Sequence, residues 1–199
     1  MNVLIVYHSQ LGSVQKMARL IARGVESIDA CNASIRTVAD VITQQGSETS
    51  SGAKELPDSG DLIVTQSDLA NCDALIIGSP TRFGNMSAAM KNFLDGTSSL
   101  WMSGGLAGKP AAVFTSSSSM HGGQESTLLS MMNPLLHHGM LICGLPYTEP
   151  SLSKTVTGGT PYGARHVAGS SNSNPISDDE KKLCIALGKR IADLSLRLA

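Results

Sequence analysis

Aromatic residues are scarce in this chain: 3 Phe, 3 Tyr and 1 Trp among 199 residues. A core must therefore be mainly aliphatic, and each ring needs its own explanation. Cysteine is equally sparse. The thiols of Cys31, Cys72, Cys143 and Cys184 are too far apart for a metal knuckle or a Cys-x-x-Cys redox pair, so no metal site is expected. Charge of one sign is missing too, with 15 Lys and Arg against 16 Asp and Glu, a formal net of -1, and no basic cluster. That excludes nucleic acid as a partner. No apolar run approaches the roughly 20 residues that span a bilayer, so no integral membrane segment is expected. The chain opens on a core strand instead of a charged, then apolar, leader, and with its reduced thiols it is expected to be cytoplasmic.

What is present points to one α/β domain over 1–199, since 41% hydrophobic and 16% charged residues can bury a sizeable core. Residues 3–7, VLIVY, are too uniformly apolar for a strand with one wet face and belong at the centre of a sheet. After Gly12, apolar residues recur at Val14, Met17, Ala18, Ile21, Val25 and Ile28, the stripe of an amphipathic helix. Weaker or shorter strand patterns follow at 34–38, 75–77, 111–114 and 140–143, alternating with helical ones. This is the mark of a doubly wound parallel sheet of five strands with helices on both faces. The last helix opens with a capping box, Ser177 and Glu180, and carries an apolar stripe at Leu187, Ile191, Leu194 and Leu198. The Ser/Gly/Gln-rich run 43–61 and the Gly/Ser/Asn-rich run 151–175 do not fit a minimal domain of this kind and are expected to be surface insertions, either lids and subunit contacts or linkers.

Three loops carry the chemistry. Ser9, Gln10, Leu11, Gly12, Ser13 and Val14 join the first strand to the first helix, whose amino terminus offers unpaired N–H groups to a phosphate, with Ser9 and Ser13 hydroxyls as further donors. No Walker lysine or dinucleotide glycine spacing is present, so the loop suits one terminal phosphate. Pro80, Thr81, Arg82, Phe83, Gly84 and Asn85 follow the third strand, and their amides and side chains can bond the polar rim of a flavin. Ser116, Ser117, Ser118, Ser119, Met120, His121, Gly122 and Gly123 follow the fourth. Adjacent strand ends that converge on one crevice make a mononucleotide site in a sheet of order 2-1-3-4-5, with FMN the natural ligand. Trp101 sits in a polar stretch with little local core, so it either walls a pocket for a flat substrate, with Phe83 as its floor, or anchors its loop. His137 and His138 before Gly139 fail as a metal pair and suit a helix carboxyl end.

The strings SPTRFGNM, KNFLDGT with Trp101 just after, GKPAAVF, HGGQE, HHGM and GGTPYGARHVAG occur in the order and spacing of one family. In them the chain resembles the WrbA-type NAD(P)H:quinone oxidoreductases. The resemblance implies a flavodoxin-like fold, an FMN cofactor, NADH or NADPH as co-substrate, quinone as acceptor, and a homotetramer. It also implies that His137 reaches a flavin across a subunit interface, while His138 stays structural. Two departures stand out: Leu11 replaces a Tyr that many members place near the nicotinamide, and 116–121 replaces a more glycine-rich loop. The first bears on dinucleotide preference and makes Leu11 a substrate-contact candidate; the second bears on flavin affinity. The expected mechanism is ping-pong hydride transfer with no catalytic side chain. Two alternatives come from other classes: a one-electron flavodoxin carrier, disfavoured because such carriers are usually strongly acidic, and a binding partner of a transcriptional repressor.

Overall fold

β1 (Asn2–Tyr7) is apolar on both sides because both sides are covered, and it pairs in parallel with β2 (Asn32–Thr37) and with β3 (Ala74–Pro80). β4 (Pro110–Ser117), buried along its whole length, lies parallel to β3 on the far side. The computed structural model describes residues 1–41 and 60–199, so nearly all of the 43–61 stretch lies outside the described residues. With β5 at Leu141–Ile142, the main path of the sheet runs β2-β1-β3-β4-β5, the order expected of a flavodoxin-like sheet.

Strand alternation sends successive side chains to opposite faces and so divides the core in two. Val3, Ile5 and Tyr7 meet α1 (Ser13–Glu26) and α7 (Asp178–Leu198); Leu4 and Val6 meet α3 (Ala88–Asp95) and α5 (Gln124–His137). α1 and α7 approach until their backbones touch: a Cβ on Gly188 would stand 2.0 Å from the Ile21 carbonyl oxygen. The short α2 (Gln66–Ala70) and α4 (Ser98–Met102) lie in the connections on either side of β3.

The fifth lane of the sheet differs from expectation. β5 is only Leu141–Ile142 and pairs with Pro110 and Ala111 at the start of β4, whereas β6 (Ala164–Val167) pairs with Phe114 to Ser117 at its end. Because β3 occupies the other edge of β4, β5 and β6 are two halves of one lane. The chain leaves the sheet after Ile142, forms α6 (Pro150–Lys154), and returns at Ala164. Within 151–175, expected as a surface insertion, the chain thus supplies a sixth strand. The excursion inside the fifth lane is instead residues 143–163.

The return is held by a buried carboxylate. Glu180, 1% exposed, accepts hydrogen bonds from the amides of Gly158 (2.8 Å), Val167 (3.1 Å) and Ser177 (2.7 Å) and from His166 Nδ1 (2.9 Å). One side chain closes the capping box of α7 and also ties the excursion and β6 to that helix. Burial alone would raise the Glu180 pKa, but the His166, Ser177 and Val167 hydrogen bonds outweigh it and hold the carboxyl below its ordinary range.

Candidate functional site

The loops after β1, β3 and β4 meet at the carboxyl edge of the sheet around a cavity of about 400 Å³. Ser9, Gln10, Leu11, Ser13 and Val14 line it from the first loop, Pro80, Thr81, Arg82 and Phe83 from the second, Ser116 to Ser119 with Gly122 from the third. Gly12, Gly84, Asn85, Met120, His121 and Gly123 shape these loops without lining the cavity.

In the first loop Gly12 adopts φ +85 and caps α1 with no side-chain hydrogen bond, and no acidic residue occupies the first turn. The helix end therefore keeps its positive partial charge for an external anion. Ser9 Oγ is buried without a partner, which is costly unless a ligand completes it. Ser13 departs from expectation. Its hydroxyl donates to Asn172 Oδ1 at 2.7 Å, so that proton is committed within the protein.

The second loop is a two-residue hairpin. Arg82 N donates to the Asn85 carbonyl (2.8 Å) and Asn85 N to the Arg82 carbonyl (2.9 Å), with Phe83 at φ +50 and Gly84 at φ +74 between them. Positive φ at both central residues defines a type I′ turn, in which a bulky residue is strained. Phe83 nonetheless stands fully exposed at the cavity mouth with Leu11 at 69%. Arg82 bends across to Gln10 Oε1 and to its neighbour's carbonyl, linking the first two loops. Thr81 N donates to the Ser116 carbonyl at 2.9 Å, linking the second and third.

The third loop is fixed from below by Gln124 at the first turn of α5. Its amide nitrogen donates to Ser117 Oγ (2.5 Å) and to the Ser119 carbonyl (2.6 Å). The serine tract is held as a shaped wall.

A fourth loop was missed in the sequence. Ala168, Gly169, Ser170 and Asn172, directly after β6, complete the cavity. The available signal was the alternation of Ala164, His166 and Ala168, buried in the structure, with Arg165 and Val167, a strand period hidden by Gly/Ser/Asn-rich flanks.

Trp101 and His137 do not join this cavity in their own chain. They line a second hollow of about 410 Å³ with Leu94, Pro134 and His138, on the face where α4 follows α3. Trp101 is 49% exposed. His138 is tied to the fold through one ring nitrogen: Thr97 Oγ1 gives its proton to the Leu94 carbonyl (2.6 Å), so His138 Nε2 donates to Thr97 (2.8 Å). Burial, then the adjacent His137, push the His138 pKa down and keep the ring neutral near neutral pH. Among the described residues no group of His, Cys, Asp and Glu could hold a metal, and no helix is long and apolar enough to cross a membrane.

With this geometry in place, similarity to known proteins becomes specific. The family model described as NADPH-dependent FMN reductase matches residues 1–147. A protein of Solidesulfovibrio magneticus named NAD(P)H dehydrogenase (quinone) is 41% identical, the match covering 100% of this chain and 99% of that one. One of the same name from Trichlorobacter lovleyi is 43% identical over 99% of this chain and 98% of its own. The crystal structure of the flavodoxin, WrbA-like protein from Agrobacterium tumefaciens superposes with a TM-score of 0.67 at 25% identity, covering 100% and 99% of the two chains. Oxidised flavodoxin 1 of Bacillus cereus, at 16% identity and a TM-score of 0.60 over 97% and 98%, shares the fold. The sheet order, the loops gathered at its carboxyl edge and these full-length similarities agree, and the chain belongs to the NADPH-dependent FMN reductase family.

Proposed function

We propose that the protein is an FMN-dependent oxidoreductase that passes two electrons from NADH or NADPH to quinones. The observation that carries this reading is the uncapped amino terminus of α1 beside the buried, unpartnered Ser9 Oγ, opening into a cavity walled by the loops of β3 and β4. Those features fit FMN: the helix end and Ser9 suit its phosphate, and the amides and side chains of the second and third loops suit the polar rim of its ring. The names of the full-length relatives supply the electron donor and acceptor classes.

Bound FMN would supply the two-electron acceptor and donor that no amino-acid side chain provides. The residues bind, orient and exclude water. Leu11 and Phe83 give the mouth an apolar rim on which a flat ring can rest, and Arg82 adds a cation that favours charge accumulating on a reduced ligand. FMN would fill most of this cavity, so donor and acceptor would use the same exposed mouth beside Leu11 and Phe83 in turn, which supports a ping-pong order.

The assembly we propose is a homotetramer in the cytoplasm. Met102, Leu129 and Leu136 are large apolar side chains left exposed on α4 and α5, and burial against further copies removes them from water. In that assembly Trp101 and His137 serve a neighbour's site, which accounts for their distance from their own.

The test is to load purified protein with FMN and to measure benzoquinone reduction by NADH and by NADPH. Saturable turnover with parallel initial-rate lines is expected. Failure to bind FMN, or FMN-loaded protein that leaves quinone unreduced, would refute the reading.

A further inference from the structure

We infer that Asn172 is a positioning residue for phosphate recognition and that it sets the protein's preference for FMN over riboflavin; this rests on the FMN reading above. Its side chain crosses from the loop after β6 to the loop after β1 and makes two hydrogen bonds there. Oδ1 accepts from Ser13 Oγ at 2.7 Å, and Nδ2 donates to the Leu11 carbonyl at 2.8 Å. The orientation of the amide is fixed by chemistry, because a carbonyl can only accept and so must face the nitrogen.

The two bonds clamp both sides of Gly12, the residue with φ +85 at the start of α1. Peptide planarity then fixes the Gly12 N–H opposite the held Leu11 carbonyl. The turn that the helix dipole and any phosphate must share is therefore set from outside the loop by a residue remote in sequence. The loop carrying Asn172 is stiffened for the task. Asn172 N donates to the Gly169 carbonyl (3.1 Å), Asn174 N to the Ala168 carbonyl (3.0 Å), and Asn174 Nδ2 to the Val167 carbonyl (3.1 Å). Asn172 itself sits at φ +52, a region that Asn and Gly enter most readily.

The position of Asn172 also predicts what its charge would do. A neutral amide leaves the partial positive charge of the α1 terminus to the ligand. A carboxylate there would face the Leu11 carbonyl and compete with phosphate for the same field.

Titration of apo-protein with FMN and with riboflavin, followed by flavin fluorescence, separates the possibilities in wild type, Asn172→Gly and Asn172→Asp. Glycine keeps the positive φ and deletes only the clamp. Wild type should prefer FMN; failure to do so sinks the FMN reading itself. Given that preference, Asn172→Gly should lose about three- to tenfold in FMN affinity while riboflavin stays within about twofold. Asn172→Asp should lose more for FMN and again spare riboflavin. Parallel weakening of both flavins, no change in either, or loss of folding in both variants overturns the inference, since each assigns Asn172 to the fold or to nothing.

Discussion

Glu180→Gln tests the post that holds the fifth lane of the sheet. In the native protein Glu180 Oε1 accepts from Gly158 N (2.8 Å) and Val167 N (3.1 Å), and Oε2 from His166 Nδ1 (2.9 Å) and Ser177 N (2.7 Å). Glutamine keeps one acceptor oxygen, so two of the four bonds survive at best. Its NH2 then faces the Ser177 N–H, donor against donor, while His166 can recover one contact by changing tautomer. A hydrogen bond to a buried charge contributes about 1.5–3 kcal/mol, which with partial recovery puts the loss at about 2–4 kcal/mol, or roughly 5–15 °C in melting temperature. The pH dependence carries the sharper test. Because the folded pKa lies below the ordinary glutamate value of 4.5, the carboxylate's contribution is present in full above pH 4.5 and is lost as pH falls from there through the folded value. Denaturant unfolding of wild type and Glu180→Gln at pH 7 and at several points below pH 4.5 should therefore show a gap that closes on acidification. A gap that is absent at neutral pH, or that persists unchanged in acid, refutes the account of Glu180 as an ionised hub.

Three further outcomes concern Ser9 and Phe83 of the cavity and Trp101 of the second hollow. Ser9→Ala removes a buried orphan hydroxyl, so the apo-protein should hold or gain stability while FMN affinity falls about three- to tenfold and riboflavin affinity does not; a destabilised apo-protein would show that Ser9 has an internal partner. Phe83→Gly relieves a bulky residue at φ +50, so unfolding free energy should stay within ~0.5 kcal/mol or rise, while kcat/KM for quinone falls about three- to tenfold; unchanged kinetics would remove Phe83 from the substrate face. Trp101→Ala should cut quinone kcat/KM about three- to tenfold without loosening FMN in the assembled protein, and sedimentation should show the oligomer intact; an oligomer that falls apart with normal turnover per folded site would make Trp101 an assembly anchor.

Much of this fold was legible because its signals are local and redundant. The run at 3–7 is apolar on both sides, a pattern that only a doubly covered strand satisfies. The stripe after Gly12 and the Ser177–Glu180 box each name a helix and its start, and both helices begin where those residues place them. The three candidate loops were legible for a similar reason: each directly follows an apolar run, so strand polarity alone carries them to one edge. The part of the fifth lane that was not legible failed on length. The four residues of β6 leave almost no periodicity, and what holds them, β4 and the Glu180 carboxylate, is remote in sequence.

The same physics explains why the fourth wall of the cavity was missed and why it matters. A Gly/Ser/Asn-rich segment reads as a surface excursion when its composition is averaged, yet such residues are also what a tight loop at a strand end requires, because they tolerate positive φ and bond their own backbone. The difference lies in what precedes them. Ala164 and His166 point into the core, Arg165 reaches the Met120 carbonyl at 3.4 Å, and the chain is thereby delivered to the ligand edge in register with β4. Interrupting the fifth lane between Ile142 and Ala164 thus gives the protein a separately anchored segment whose last residues can reach back to the α1 loop. A continuous strand would have fixed that reach through a single short connection. The split lane instead lets Glu180 hold the segment's base while Asn172 sets its tip against Ser13 and Leu11.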